Sequence, residues 1–323
     1  MTNDQEKNSR ARSRTWPYPR HADFEKSLRE TAKAWFTSKG YPKHDKYPYC
    51  LDTYDNWHHN IIDQKVVTFI KSDRLERKGN KGFPLHKYVH HGLSSQALLF
   101  NLLGPLVVDN NLDPLRKVLE SHGVIWPGED AEGKFEYENR DIFNEDSGQP
   151  TSIDFMIQDS AGEPKIFIES KLVEKEFGAC SVFKNGDCEG RSPVGDFHQC
   201  YLHHIGRKYW TLLEKNGFLD GPLGSEKTCI FASHYQFFRE VLFALEMSGT
   251  FVLLSDERSP TFFCTSKDEK IKRGLMPFLC DLVPEKLRHR IVSITIQEVV
   301  HAIEETGTSE WVKDFKVKYG LKR

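Results

Sequence analysis

Three residues carry the chemistry that this sequence could perform. Asp154 is followed, after fourteen intervening residues, by Glu169-Ser170-Lys171. Two carboxylates supply the hard oxygen ligands that suit Mg²⁺, or Mn²⁺ in its place, and Mg²⁺ is commonly held by one or two acids with waters and substrate phosphate completing its shell. Such a metal lowers the pKa of a bound water and screens phosphodiester charge, while a nearby ammonium orients that water or stabilises the charge that develops. The chemistry implied is phosphodiester hydrolysis. It requires that the three side chains meet, which the surrounding elements must bring about.

Residues two apart in a strand project to one face, so Glu169 and Lys171 point together if Lys165 to Leu172 (KIFIESKL) is extended, as its β-branched and aromatic content predicts. Ser152 to Gln158 (SIDFMIQ) alternates with period two, and Asp159-Ser160-Ala161-Gly162-Glu163-Pro164 between these runs is dense in turn formers. A hairpin there returns the chain so that Asp154 lies beside Glu169 and Lys171. Lys134 to Asn139 (KFEYEN) predicts a preceding strand. Upstream, Ser94-Ser95 opens an apolar run closed by Gly104-Pro105, the start and stop signals of a buried helix. Downstream, a polar insert from Gly178 to Gly195 leads to an expected helix from Asp196 to about Lys215, a strand at Thr228 to Ala232, a helix at Phe237 to Met247 and a strand at Thr250 to Leu254. The expectation is an α/β fold with a mixed central sheet flanked by helices. We divide the chain into an N-terminal helical extension (1–85, with helices near 23–36 and 60–70), a core (86–258) and a C-terminal strand-helix extension (259–323), where Thr295 and Glu298 have capping-box spacing.

This order of elements, with Ile153-Asp154 on one strand and Glu169-Ser170-Lys171 on the next, resembles the PD-(D/E)XK nuclease superfamily over residues 92–255. The resemblance implies a restriction-endonuclease-like αβββαβ core and a metal-dependent DNA nuclease, with duplex DNA as its substrate, in restriction, phage defence or repair. By the same resemblance Asp154, Glu169 and the Ser170 carbonyl bind the metal and Lys171 serves the attacking water. An acid or amide from the first helix often joins them, which nominates Gln96, with Glu138 of the first strand as a rival. Ile153 stands where the pattern has proline, although Pro150 is close by. The triplet also occurs at Glu76-Arg77-Lys78 and Asp268-Glu269-Lys270, but in polar sequence without strand character. The strand context singles out 169–171.

Other features point less far. Cys180, Cys188, Cys200 and His203 would satisfy tetrahedral Zn²⁺, yet their gaps match no zinc-finger spacing, and buried or incidental thiols are the favoured reading. The pairs His58-His59, His90-His91 and His203-His204 read as structural or surface residues. Seven cysteines without a secretory signal argue against a disulfide framework. HExxH, GxxxxGK[ST] and GxGxxG are absent, which removes zincin, P-loop and Rossmann readings. A formal charge of −2 supplies no global basic field, so DNA contacts must be local. Candidates are Arg10, Arg12, Arg14 and Arg20, the loop Lys71 to Lys81, Lys184, Arg191, Arg207, Lys208 and the basic end from Lys313; solvated faces are the plainer reading. No apolar run reaches bilayer length, so a cytoplasmic location without membrane association is expected. A homo-oligomer is left open. Two rivals stand beside the nuclease: a catalytically inactive nucleic-acid-binding module on the same fold, and an unrelated hydrolase or interaction protein whose triplet is accidental.

Overall fold

The structure is a computed structural model that describes residues 21–76, 84–146, 148, 150–262, 274–307 and 310–321. Its helices are α1 (His21–Ser38), α2 (Gln64–Glu76), α3 (Ser95–Val108), α4 (Asp113–Ser121), α5 (Tyr209–Lys215), α6 (Phe231–Glu246), α7 (Leu275–Asp281), α8 (Ile296–Glu305) and α9 (Glu310–Tyr319), together with shorter turns. The strands are β1 (Glu132–Glu138), β2 (Ser152–Gln158), β3 (Pro164–Lys171), β4 (Thr250–Ser255) and β5 (Ile291–Thr295). They form one sheet in sequential order, antiparallel from β1 to β3 and parallel from β3 to β5. The mixed sheet flanked by helices is the α/β architecture expected from the sequence. Parallel neighbours need a crossover, and α6 supplies the one between β3 and β4.

Both faces of the sheet are covered, and strand alternation sorts the side chains between them. Phe155, Ile157, Ile166, Ile168, Val252 and Leu254 pack with α3, α8 and α9 on one face. Met156, Phe167, Phe251 and Leu253 pack with α5 and α6 on the other. Asp154, Glu169 and Lys171 are in phase with the second set, so the ionisable groups enter the face that α6 covers.

The local signals mostly act as anticipated. Ser94 caps α3 by accepting from the Ala97 amide, and Thr295 with Glu298 forms a capping box on α8. Gly104-Pro105 does not end α3, which runs on to Val108. Gly104 is instead a close-approach site, since a Cβ there would fall 2.7 Å from a Val66 methyl of α2. Thr228 to Ala232 is not a strand: Thr228 makes one bridge with Arg191, and α6 begins at Phe231. Cys229, Ile230, Phe231 and Ala232 are all buried, so their apolar character answers to packing rather than to a ladder. The helix expected over 196–215 is broken at Cys200, whose backbone is extended, and at Gly206 (φ +89°), leaving single turns at Phe197–Gln199 and Tyr201–His204 before α5. Among the described residues no helix is long and apolar enough to cross a membrane. Arg10, Arg12, Arg14, Arg20, Arg77, Lys78, Lys81, Cys264 and the 268–270 triplet lie outside the described residues.

Candidate active site

The hairpin register aligns the acids. Phe155 pairs with Ile168, and one further step puts Asp154 opposite Glu169. On the other side, Phe135 pairs with Phe155 and Tyr137 with Ile153, so Glu136 is the residue opposite Asp154. Glu136 interrupts that pairing with a left-handed backbone, φ +52°, a conformation that costs a non-glycine residue roughly 1–3 kcal/mol and that clusters at functional sites. Three carboxyl groups therefore form a row across β1, β2 and β3.

Hydrogen bonds hold the row in place. Asp154 Oδ2 accepts from the Ser170 amide at 2.9 Å. Glu169 Oε1 accepts from Lys171 Nζ at 2.8 Å and from Gln236 Nε2 at 2.5 Å, while Lys171 Nζ also donates to Gln236 Oε1 at 2.7 Å. Glu136 accepts from Gln96 Nε2 at 2.6 Å and from Ser152 Oγ at 3.1 Å. Gln236 and Glu240 lie one helical turn apart and face the sheet from α6. Glu169 Oε2 and Glu240 Oε2 are buried without a hydrogen-bond partner among the described residues.

The electrostatics of this cluster are unbalanced. Burial pushes the Asp154 carboxyl well above its usual range, and the charges of Glu169 and Glu136 push it further, against Lys171 and the Ser170 amide. Glu240 is raised by burial and then by Glu169, with Lys171 opposing. Burial, followed by Glu169 and Glu138, carries Glu136 up to about 7 although Gln96 and Ser152 stabilise its charge. Burial disfavours the Lys171 ammonium, but Glu169, Glu174, Glu240 and Asp154 outweigh it and hold its pKa above the ordinary lysine value. With one ammonium among several buried acids, ionising all of the acids would leave an excess of negative charge, an expensive arrangement without a further cation. An oxygen-rich donor set with an unpartnered carboxylate oxygen fits a hard divalent ion.

Asp154, Glu169 and Lys171 are thus brought together as the sequence suggested. Gln96 reaches the cluster through Glu136 rather than by touching Asp154 or Glu169. Glu138 is exposed at the end of β1, and Glu136, two residues earlier, is the acid of that strand that joins the row. Sequence reasoning also missed Gln236 and Glu240. Their four-residue spacing as polar interruptions among Phe237, Phe238, Val241 and Leu242 was the available signal. Of the proposed phosphate contacts, Arg207 is buried and bonded to the Asn144 carbonyl and to Asp146, Arg191 pairs with Glu189 at 2.8 Å, and Lys208 donates to the Asp141 carbonyl at 3.3 Å. Lys184 is exposed.

Among the described residues no group of three or more His, Cys, Asp or Glu side chains is arranged to hold a metal ion. A structural zinc needs four protein ligands in place, which Cys180, Cys188, Cys200 and His203 do not provide; magnesium keeps several waters and needs only one or two carboxylates. The six described cysteines are free thiols.

The family model of the restriction endonucleases associating with ARP matches the chain over residues 29–320. The chain belongs to this family. Membership carries a nuclease-type function in general terms, and the span takes in all five strands and α6 with both residues it contributes to the cluster. No curated protein and no solved structure matches the chain at a significant level.

Proposed function

We propose that this protein is a metal-dependent DNA endonuclease that hydrolyses phosphodiester bonds of duplex DNA in restriction, phage defence or repair, acting in the cytoplasm. The observation that carries the reading is the convergence of Asp154, Glu169 and Lys171 on one sheet face, beneath a helix that adds Gln236 and Glu240. Asp154 and Glu169 would hold Mg²⁺ or Mn²⁺, with the Ser170 carbonyl and Glu136 as further oxygen donors. When bound, the ion would acidify a water and neutralise phosphate charge. Lys171 keeps its proton among the acids that surround it, so it acts as a donor to the attacking water or to a phosphate oxygen and not as the base. Gln236 bridges Lys171 and Glu169 and fixes both. The family description supports DNA as the substrate and adds an association with ARP as a partner to be sought.

The test is cleavage of supercoiled and linear duplex DNA with Mg²⁺, Mn²⁺ or EDTA by the wild type, Asp154→Asn and Lys171→Ala, each checked for folding by circular dichroism. We expect metal-dependent cutting that falls by about a thousandfold or more in both variants, the scale for losing a group that stabilises transition-state charge. Cutting that persists equally in the variants, or a folded wild type that binds DNA and never cuts it, would overturn the reading.

A further inference from the structure

Next to the acidic row lies a surface that the chemistry above does not use. Gln96, while donating to Glu136, also donates to the Pro84 carbonyl at 2.9 Å and accepts from the His86 amide at 2.8 Å. The segment 84–91 is therefore one side chain removed from the active site. From there a chain of rings runs outward: His86 to Tyr88 (centroids 5.2 Å), Tyr88 to His91 (4.9 Å), His91 to His90 (4.3 Å) and His90 to Tyr54 (6.0 Å). A second strip, His44 to Tyr47 to Tyr49 (5.2 and 6.1 Å), is joined to it by the bridge of Cys50 with His91. Tyr88 is 46% exposed, Tyr47 43% and Tyr54 37%, so these rings are not there to fill a core. Lysines sit over two of them, Lys87 Nζ at 4.8 Å from the Tyr88 ring and Lys46 Nζ at 5.4 Å from the Tyr47 ring.

The histidines make this surface aromatic more than cationic. Burial lowers His91, and His90, His44 and His86 lower it further, to about 4. Burial likewise lowers His86 and His90, so the crowded imidazoles stay neutral near pH 7. Over 41–60 and 84–91 the formal charges balance, Lys43, Lys46 and Lys87 against Asp45, Asp52 and Asp55. A surface of exposed rings with little net charge favours the faces of bases over a run of phosphates.

We propose that Tyr88 and Tyr47, each with a lysine over its ring, form a stacking platform that receives unpaired bases of the DNA strand beside the scissile phosphate. The inference rests on the nuclease reading for the identity of the strand. It implies that the substrate, or the duplex once engaged, presents single-stranded or flipped nucleotides next to the site. Stacking is tolerant of base identity, so the platform would bind a strand without choosing its sequence.

The experiment measures binding in EDTA, where no cutting is needed, of the full chain to a single-stranded oligonucleotide carrying the fluorescent base 2-aminopurine. Anisotropy gives affinity, and quenching reports stacking. Tyr88→Ala and Tyr47→Ala should each weaken binding about tenfold or more and relieve the quenching. Tyr88→Phe should retain both, and the slope of affinity against salt should not change with the tyrosines but should fall when Lys46 and Lys87 are replaced. Alanine variants that melt like the wild type yet bind and quench unchanged would overturn the proposal, as would a wild type that binds no single strand. Failure of the nuclease reading would appear separately, as absent or metal-independent cleavage.

Discussion

Helix α6 has a buried polar cluster on each side, and the two are built on opposite principles. Toward α5, Glu145 accepts from the Thr151 amide (2.6 Å), the Thr151 hydroxyl (2.9 Å) and the Tyr209 hydroxyl (2.5 Å), with the Arg239 guanidinium at 3.6 Å. Arg239 in turn donates to Thr151 Oγ1 and lies 4.5 Å from the Tyr235 ring centroid. One acid is matched by one guanidinium and a full set of donors. Toward the sheet, several acids surround Lys171, and Glu169 Oε2 and Glu240 Oε2 find no partner. A satisfied network rigidifies the fold, whereas an unsatisfied one costs stability and persists where function needs it. Arg239 and Glu240 are adjacent in sequence, so a single residue step, about 100° around the helix, separates the two clusters.

The comparison breaks most visibly if the satisfied side is cut. Glu145→Gln removes the charge that Arg239 faces and one acceptor of a crowded set. Removing one partner of a buried ion pair costs about 3–5 kcal/mol, and that loss should appear in urea unfolding. Cleavage by the molecules that remain folded should be close to wild type. A variant of unchanged stability would show that the cluster contributes little to holding α6 in place.

How far the sequence revealed this division depends on where backbone geometry departs from pattern. The ends of β2 and the turn at 159–164 follow from period-two alternation and turn formers, and with them the meeting of Asp154 and Glu169. Glu136 was not legible because its place depends on a left-handed backbone inside β1, which no alternation signals. Gln236 fell outside the helix expected to begin at Phe237, because the apolar run 228–232 looked like a strand. Glu240 lies within that helix, but a lone acid on a helix reads as solvated unless the sheet face beneath it is known.

The reactive side is sharpened by Gln236, whose amide touches both members of the Lys171–Glu169 pair. Gln236→Ala leaves that pair in contact and releases its orientation. Residues that position a catalytic or metal-binding group typically account for about 10–100-fold, so kcat should fall by that amount with KM for DNA little changed. An equal rise in KM would instead place Gln236 in substrate binding, and unchanged kinetics would remove it from the site.

The smallest effect tests the imbalance itself. A carboxyl whose folded pKa is raised above its unfolded value makes the folded state bind more protons, so stability is highest when the group is protonated and declines as pH rises. For Glu136 the decline begins near the ordinary glutamate value of 4.5 and is complete above about 7. Glu136→Gln keeps an acceptor for Gln96 and removes the titration. Without divalent metal, the variant should melt like the wild type near pH 5 and higher than it by roughly 2–5 °C at pH 8, a shift expected of one or two kcal/mol in a domain of this size. Taking the difference between the two proteins cancels the histidines, whose lowered values act in the opposite direction. Mg²⁺ at pH 8 should then raise the melting temperature of the wild type more than that of the variant, because only the wild type brings the Glu136 charge for the ion to neutralise. A melting difference that stays flat from pH 5 to pH 8 would mean that Glu136 is ionised at no cost, and the left-handed turn of β1 would then need another explanation.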